Sequence, residues 1–243
     1  PIMLLSNKLD SSELDVIVNK FKPSYLISSK NLFNFCANKP TKRIFENYYL
    51  YEFTQFGSVN FFDDLALLLP TSGSTGSAKF VRISYQNILS NAQSIIKFLK
   101  INCEDVSITT LPMSYSFGLS IINTYVDMGA CLVLTNKSIV ERDFWSLISK
   151  HSVTSISGVP YTFQLLKQLG FLRMSYPSLR TITQAGGGLD LETKKAILEY
   201  SKKNMIKFFI MYGQTEATAR ISYVPPSRLS SKLLSIGKPI PGG

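Results

Sequence analysis

A stretch rich in glycine, serine and threonine constrains the fold of this chain more than any other feature of its sequence. It follows the apolar run 65–69 and precedes an amphipathic segment that begins near Ser84. A strand, a glycine-rich loop and a helix in this order are typical of sites that hold phosphate, because glycine lets successive backbone N–H groups point at one anion. A flexible linker has a similar composition, but it would not normally lie between a leucine-rich strand and a helix. The stretch reads Thr71-Ser72-Gly73-Ser74-Thr75-Gly76-Ser77-Ala78-Lys79.

The side chains of this stretch suit a polyphosphate, although the spacing is not that of the common P-loop. The hydroxyls of Ser72, Ser74 and Thr75 add hydrogen-bond donors, and Lys79 adds a mobile positive charge. The common P-loop has a lysine directly after its second glycine. Here Lys79 comes three residues after Gly76.

The same nine residues resemble the phosphate loop of the adenylate-forming enzymes. This family includes acyl-CoA synthetases, fatty-acyl-AMP ligases, luciferases and nonribosomal peptide adenylation domains. The family usually has proline before the lysine and glycine after it, whereas this chain has Ala78 and Phe80. Neither position supplies a donor to phosphate, so both departures are compatible with the same role. The resemblance extends from about residue 14 to the end of the chain.

Composition argues against several other classes of protein. The 243 residues are 45% hydrophobic and 17% charged, which is typical of a globular protein and not of a disordered one. The formal net charge of +10 comes from scattered lysines and arginines, so it indicates a solvated surface that attracts polyphosphate rather than nucleic acid. With His151 as the single histidine, the sequence favours neither a zinc site nor a Ser-His-Asp triad.

The cysteines and the apolar segments indicate the compartment. Cys36, Cys103 and Cys131 are odd in number and lack metal-ligand spacing, so we expect free, buried thiols in a reducing environment. No apolar run reaches about 18 residues, and the N-terminus lacks the pattern of a secretory signal. The sequence therefore predicts a cytoplasmic protein without a membrane span.

Strands and helices alternate from residue 65 onward, which predicts an α/β fold of mostly parallel sheets sandwiched by helices. In such sheets, ligands bind at the carboxyl ends of the strands. Each motif of interest follows a predicted strand, so we expect strands that end at residues 70, 111, 185 and 211 to open onto one cleft. Strands are predicted at 65–69, 106–111, 130–134, 153–156, 180–184 and 206–211, and helices at 84–99, 117–128, 141–150, after 160 and at 190–203.

A second motif, Tyr212-Gly213-Gln214-Thr215-Glu216, follows the apolar run 206–211 and matches the Tyr-Gly-x-Thr-Glu signature of the same family. A tyrosine ring can stack on adenine, and a glycine lets the backbone turn beside a ligand. A threonine hydroxyl can donate to the α-phosphate, and a glutamate supplies the oxygen that magnesium prefers. The alternative is an ordinary strand end with a turn and an exposed acid.

Two further segments resemble landmarks of the family. The glycines of Ala185-Gly186-Gly187-Gly188-Leu189 correspond to backbone that lines the adenine pocket, although a tight strand-to-helix turn would also use them. The segment Tyr115-Ser116-Phe117-Gly118 follows Leu-Pro where the family has an aromatic-rich stretch with a histidine beside the reacting carboxylate, and Tyr115 stands at that histidine's place. The resemblance therefore implies that these four residues line the acyl pocket. The alternative is that Tyr115 and Phe117 are ordinary residues of the hydrophobic core.

The resemblance implies ATP-dependent activation of a carboxylic acid as an acyl-adenylate, with release of pyrophosphate. Lys79 would neutralise the leaving pyrophosphate, Thr215 would orient the α-phosphate, and Glu216 with Thr75 would hold Mg²⁺. The acyl group would then pass to the thiol of CoA or of a phosphopantetheine arm on an acyl or peptidyl carrier protein. The resemblance thus implies ATP or AMP, Mg²⁺ and an acid as ligands.

The resemblance also implies an acetyl-CoA-synthetase-like large domain that is incomplete at both ends. Residues 1–62 would be part of a first subdomain, 63–224 the main nucleotide-binding α/β region, and 225–243 the start of the next β subdomain. The family's ribose-binding aspartate, its hinge and its small C-terminal domain with a catalytic lysine lie beyond this sequence, so we expect a truncated part of a longer enzyme. A nucleotide-binding module without catalysis and a protein-interaction domain that keeps the fold are the alternatives.

Overall fold

The computed structural model describes residues 1–29, 42–45, 48–53, 61–71 and 79–243. These residues fall into two compact units. One contains residues 1–4, 64–71 and 79–243, and the other contains the described residues between 5 and 63. None of the helices in these ranges is both long and apolar enough to cross a membrane.

The strands are β1 (Ile2–Met3), β2 (Tyr25–Ser28), β3 (Lys42–Phe45), β4 (Tyr48–Glu52), β5 (Leu65–Pro70), β6 (Phe80–Ser84), β7 (Val106–Ile108), β8 (Cys131–Val133), β9 (Ser155–Gly158), β10 (Thr181–Gln184), β11 (Lys207–Tyr212), β12 (Ser222–Val224) and β13 (Lys238–Pro239). The α-helices are α1 (Ser11–Phe21), α2 (Tyr85–Leu99), α3 (Ser116–Asp127), α4 (Arg142–Lys150), α5 (Pro160–Gln168), α6 (Leu191–Lys203) and α7 (Pro226–Leu229). Short 3-10 helices span Phe171–Arg173 and Thr215–Ala217.

The smaller unit consists of α1 and an antiparallel sheet in the order β2-β4-β3. Helix α1 begins at a reciprocal cap: the backbone N–H of Glu13 donates to Asp10 Oδ1 over 2.8 Å, and that of Asp10 donates to Glu13 Oε2 over 3.1 Å. This pairing satisfies two backbone donors that the first turn leaves free.

The larger unit contains a seven-stranded sheet in the order β13-β12-β11-β10-β9-β7-β8. Strands β7 to β11 are parallel, and β12 and β13 run antiparallel to them. Alternate residues of β11 pack into two different hydrophobic cores, one on each face of the sheet. Phe208 and Ile210 pack with residues of α4, α5 and α6, whereas Phe209 and Met211 pack with residues of α2 and α3. Helices therefore cover both faces, which confirms the predicted α/β sandwich.

A second sheet, in the order β1-β5-β6, corrects the expected arrangement around the glycine-rich stretch. The sequence predicts a strand, a loop and a helix, but β6 lies between the stretch and α2. Strand β6 is antiparallel to β5, so the chain turns back on itself there. The short, partly polar run 80–84 gives a weak strand signal, and its pairing with the leucines of β5 stabilises it as a strand.

Three smaller predictions were also wrong. The strand predicted at 106–111 ends at Ile108, and the hydroxyls of Thr109 and Thr110 then donate to the carbonyls of Thr135 and Ser157. The predicted burial of the thiols fails for Cys131, which lies on the edge strand β8 and is exposed. It fails equally for the exposed Cys103, which lies in a turn. Cys36 lies outside the described residues.

Candidate functional site

The carboxyl ends of β7, β9, β10 and β11 lie at one edge of the seven-stranded sheet, because these strands are parallel neighbours. Three of the motifs follow three of these ends. The segment 115–118 begins α3 after β7, the glycines 186–188 follow β10, and the segment 212–216 begins with the last residue of β11. Strand β5, which precedes the glycine-rich stretch, belongs to the other sheet.

The glycine turn lies against Tyr115. A Cβ added to Gly186 would come within 2.5 Å of the Tyr115 hydroxyl oxygen and 3.0 Å of Val159 Cγ1. The φ angles of Gly186 and Gly187 are 79° and 145°, which side chains rarely adopt. The buried side chain of Gln184 holds the turn, since its Nε2 donates to the Gly187 carbonyl over 2.9 Å. A larger residue at 186 would therefore displace Tyr115.

The Tyr-Gly-x-Thr-Glu segment meets the start of α3. Thr215 Oγ1 donates to Ser116 Oγ over 3.3 Å, which joins residues 99 positions apart in the chain. Ser116, Phe117 and Gly118 are buried, Thr215 is half-buried, and Glu216 is exposed. The hydroxyl of Thr215 therefore lies deeper in the candidate site than the carboxylate of Glu216.

The backbone of this segment forms a tight excursion between β11 and β12. A Cβ added to Gly213 would lie 1.7 Å from the Ala219 carbonyl oxygen, so only glycine fits at this close approach. Thr218 has φ 67° and ψ −63°, and the N–H of Ala219 donates to the Ala217 carbonyl over 2.8 Å. These values describe a strained γ-turn, which is an outlier for a β-branched residue. Strain of this kind persists where the surrounding structure enforces it.

The ends of the glycine-rich stretch are close together, and the strand that follows them lies beside the 3-10 helix that contains Glu216. The backbone N–H of Thr71 donates to the Lys79 carbonyl over 3.1 Å, which closes the hairpin between β5 and β6. Strand β6 in turn packs beside the 3-10 helix Thr215–Ala217. Lys79 is exposed, and Ser72, Gly73, Ser74, Thr75 and Gly76 lie outside the described residues.

The groups that face solvent suit a polar ligand. Gly186, Gly187, Gly188, Gln214 and Glu216 are exposed, and 40% of Tyr212 is exposed. In the described part of the chain, no three histidine, cysteine or acidic side chains cluster as a complete metal site. Magnesium at nucleotide sites commonly uses one or two carboxylates together with phosphate oxygens. An exposed Glu216 beside the β5–β6 hairpin fits that mode of binding.

Arg220 is a feature of the site that the sequence reasoning missed. Its guanidinium carbon lies 3.9 Å from the centroid of the Phe117 ring, and 4% of the residue is exposed. Asn91 of α2 fixes its backbone: Asn91 Nδ2 donates to the Arg220 carbonyl over 3.0 Å, and the Arg220 N–H donates to Asn91 Oδ1 over 3.3 Å. Burial lowers the pKa of Arg220 to about 9, although the phenol of Tyr115 acts in the opposite direction. An arginine four residues after a motif carries no sequence signal of burial.

A mostly parallel sheet with glycine turns and hydroxyls at its carboxyl edge is the architecture of a nucleotide-binding α/β protein. Within that class, the chain belongs to the AMP-binding enzyme family, whose profile matches residues 3–243. A 2-succinylbenzoate–CoA ligase of Bacillus velezensis is 34% identical over 178 residues, which make up 73% of this chain and 35% of that protein. The chain thus spans about a third of the length of the curated relatives it matches.

Solved structures agree with this assignment. The o-succinylbenzoate CoA synthetase of Bacillus subtilis in complex with AMP has a TM-score of 0.78 at 27% identity, covering 98% of this chain and 49% of that chain. The same enzyme in complex with the acyl-adenylate intermediate OSB-AMP has a TM-score of 0.76 at 28% identity, covering 98% and 61%. The fold described above is therefore that of the large domain of adenylate-forming enzymes.

Proposed function

We propose that the whole protein activates a carboxylic acid with ATP, forming an acyl-adenylate and releasing pyrophosphate. The observation that carries this proposal is the contact between Thr215 and Ser116. It joins the segment proposed to hold the α-phosphate to the segment proposed to hold the acid. Membership of the AMP-binding enzyme family supports the same reaction.

In this proposal the protein acts by positioning and by charge. An oxygen of the substrate carboxylate attacks the α-phosphorus, the bond to the β-phosphate oxygen breaks, and pyrophosphate leaves. Thr215 turns its O–H from Ser116 toward the α-phosphate when the nucleotide binds, Lys79 faces the β- and γ-phosphates, and Tyr212 with the glycine turn holds adenine. Preorganised donors of this kind lower the barrier because they need no rearrangement as charge develops.

Glu216 is the residue that we propose for Mg²⁺, with Thr75 of the glycine-rich stretch as a second ligand. The ion would offset the negative charge of the phosphates while the α-phosphorus is attacked. The contact of β6 with the 3-10 helix supports this placement, because β6 directly follows the stretch and the 3-10 helix contains Glu216.

We propose CoA as the thiol that takes the acyl group in a second step. The support is that relatives of this chain are CoA ligases by name, among them the 2-succinylbenzoate–CoA ligase described above. A carrier-protein arm offers the same thiol chemistry and stays the second candidate. The cytoplasm stays the predicted compartment.

The test compares binding of ATP with binding of AMP in the whole protein. Lys79→Ala should weaken ATP binding about tenfold or more while leaving AMP binding nearly unchanged, because loss of a hydrogen bond to a charged group costs about 1.5–3 kcal/mol. Glu216→Gln should lower the rate of acid-dependent pyrophosphate exchange by about 100-fold, the typical cost of one group that stabilises developing charge.

Matched controls are Lys195→Ala and Glu199→Gln, two exposed positions on α6. Both should leave exchange and nucleotide affinity unchanged. Thermal melts of all four variants separate binding from folding. A loss of stability in the Lys79 and Glu216 variants, with an unchanged ratio of ATP to AMP affinity, would contradict the proposal.

A further inference from the structure

We propose that Arg220 binds a second carboxylate of the acid, at the end remote from the carboxylate that is activated. The substrate is then a dicarboxylic acid. This inference rests on the proposed adenylation function and names the class of acid that the same site selects.

Arg220 is a buried cation without a counter-ion among the described residues. Its Nε is buried and has no hydrogen-bond partner there, and no carboxylate among the described residues contributes to the shift of its pKa. Burial lowers the pKa of Arg220 to about 9, so the side chain is still protonated at neutral pH. An unpaired buried charge is strongly unfavourable. A ligand that brings an anion removes this penalty.

The position of Arg220 shows which end of the acid it meets. Ser116 and Phe117 are consecutive at the start of α3, and they contact Thr215 and Arg220 respectively. Consecutive side chains of a helix point about 100° apart, so Thr215 and Arg220 lie on adjoining sides of the start of α3, and one bound molecule can contact both. Arg220 is 4% exposed, whereas the proposed nucleotide-binding groups Glu216 and Tyr212 face solvent. The guanidinium is thus placed for the inner end of the acid and not for the phosphates.

The surroundings of Arg220 hold its backbone and leave its Nε without a hydrogen-bond partner among the described residues. Asn91 binds both the N–H and the carbonyl of Arg220, so the residue is fixed at its main chain. The ring of Phe117 supports one face of the guanidinium, and the Nε in its plane has no hydrogen-bond partner among the described residues, which suits a planar carboxylate. This pairing is the geometry in which arginine recognises carboxylates.

The experiment uses acid-dependent pyrophosphate exchange by the whole protein with matched pairs of acids. The two acids of a pair share the same chain length or ring. They differ only at the remote end, where one carries a carboxylate and the other carries a methyl group. The pairs include adipate with hexanoate, suberate with octanoate, and terephthalate with 4-methylbenzoate. Wild type should favour the dicarboxylate by about 100-fold or more in kcat/KM, because a site built for a polar group rejects the analogue that lacks it.

Arg220→Met should reduce this preference to a few-fold, mainly by loss of activity with the dicarboxylates. Arg220→Lys should retain part of it, because charge remains while the planar fork is lost. Arg228→Met, at an exposed arginine of α7, should leave the preference unchanged. Glu46 is the one acidic residue of the sequence outside the described ranges. Glu46→Gln should also leave the preference for dicarboxylates unchanged, which would exclude Glu46 as the counter-ion of Arg220.

Thermal melting separates recognition from a structural role. Without ligand, Arg220→Met should melt at the same temperature as wild type or higher, because it removes an uncompensated buried charge. In the presence of AMP, a preferred dicarboxylate should raise the melting temperature of wild type and not of the variant.

The outcomes distinguish the two proposals. Equal use of both acids in each pair by wild type, or an equal loss with both acids in a destabilised Arg220→Met, would overturn the role of Arg220 while adenylation stands. If no acid of either kind supports exchange and neither ATP nor AMP binds, the adenylation proposal fails and this inference fails with it.

Discussion

At the residue scale, Gly213 shows how one missing side chain shapes the candidate site. A Cβ at this position would lie 1.7 Å from the Ala219 carbonyl oxygen, which is backbone and cannot move aside freely. Ala219 is followed by Arg220, so a displacement here would also move the guanidinium. The same close approach sets the position of Thr215 relative to β12.

We therefore expect Gly213→Ala to destabilise the fold by about 1–3 kcal/mol, the usual cost of forcing an extra group into a packed region. Urea unfolding measures this change. Gly188→Ala is the matched control, because a Cβ there meets nothing within 4 Å, and its stability should stay within about 0.5 kcal/mol of wild type. Equal stability of both variants would mean that the segment 213–219 can relax.

At the scale of elements, helix α2 connects the β5–β6 hairpin to the site. Ser84 ends β6 and caps α2: the N–H of Asn87 donates to Ser84 Oγ over 3.1 Å, and the Ser84 N–H donates to Asn87 Oδ1 over 3.1 Å. Seven residues later, Asn91 of the same helix binds the backbone of Arg220. The cap therefore determines where the helix, and with it Asn91, begins.

Ser84→Ala should cost about 1 kcal/mol of stability, the typical value for loss of an N-cap. Chemical denaturation checks this value. The control is Ser90→Ala in the same helix, at an exposed position where alanine is the better helix former. It should be neutral or slightly stabilising, so a similar loss in both variants would contradict the role of the cap.

At the scale of the whole molecule, acid should unfold the protein through its helix caps and turns. The backbone N–H of Thr193 donates to Asp190 and lowers the pKa of that carboxyl below its ordinary value of 3.8. Backbone donors likewise lower the pKa of Asp10 and of Glu141. A lowered pKa means that the carboxylate stabilises the fold above its unfolded pKa, and that this contribution is lost as the pH falls through the folded value.

The expected result is a melting temperature that falls below about pH 4, where these carboxylates take up protons. Asp190→Asn keeps a capping oxygen but cannot titrate. It should match wild type closely at neutral pH and lose less stability between about pH 4 and pH 2. Parallel pH profiles of the two proteins over that range would contradict the role of Asp190.

Much of the fold was predictable because its signals are local. The alternation of apolar runs and amphipathic segments identified α2 to α6 and most strands of the seven-stranded sheet within a few residues. Pro160 and Asp190 mark the starts of α5 and α6 as predicted, since a helix tolerates proline in its first turn and uses an aspartate as its cap. Strand β6 was missed because its stability comes from pairing with β5 and not from its own five residues.

By itself, the sequence determined the motifs, the class of fold and the edge of the seven-stranded sheet at which three of the motifs lie. Each of these follows from residue types and periodicity within short windows. Only the tertiary structure decided that Thr215 meets Ser116 and that Asn91 holds Arg220, pairs that are 99 and 129 residues apart. It also decided that Arg220 is buried on Phe117. Contacts over such separations depend on how whole elements pack, and no local pattern of residues encodes that packing.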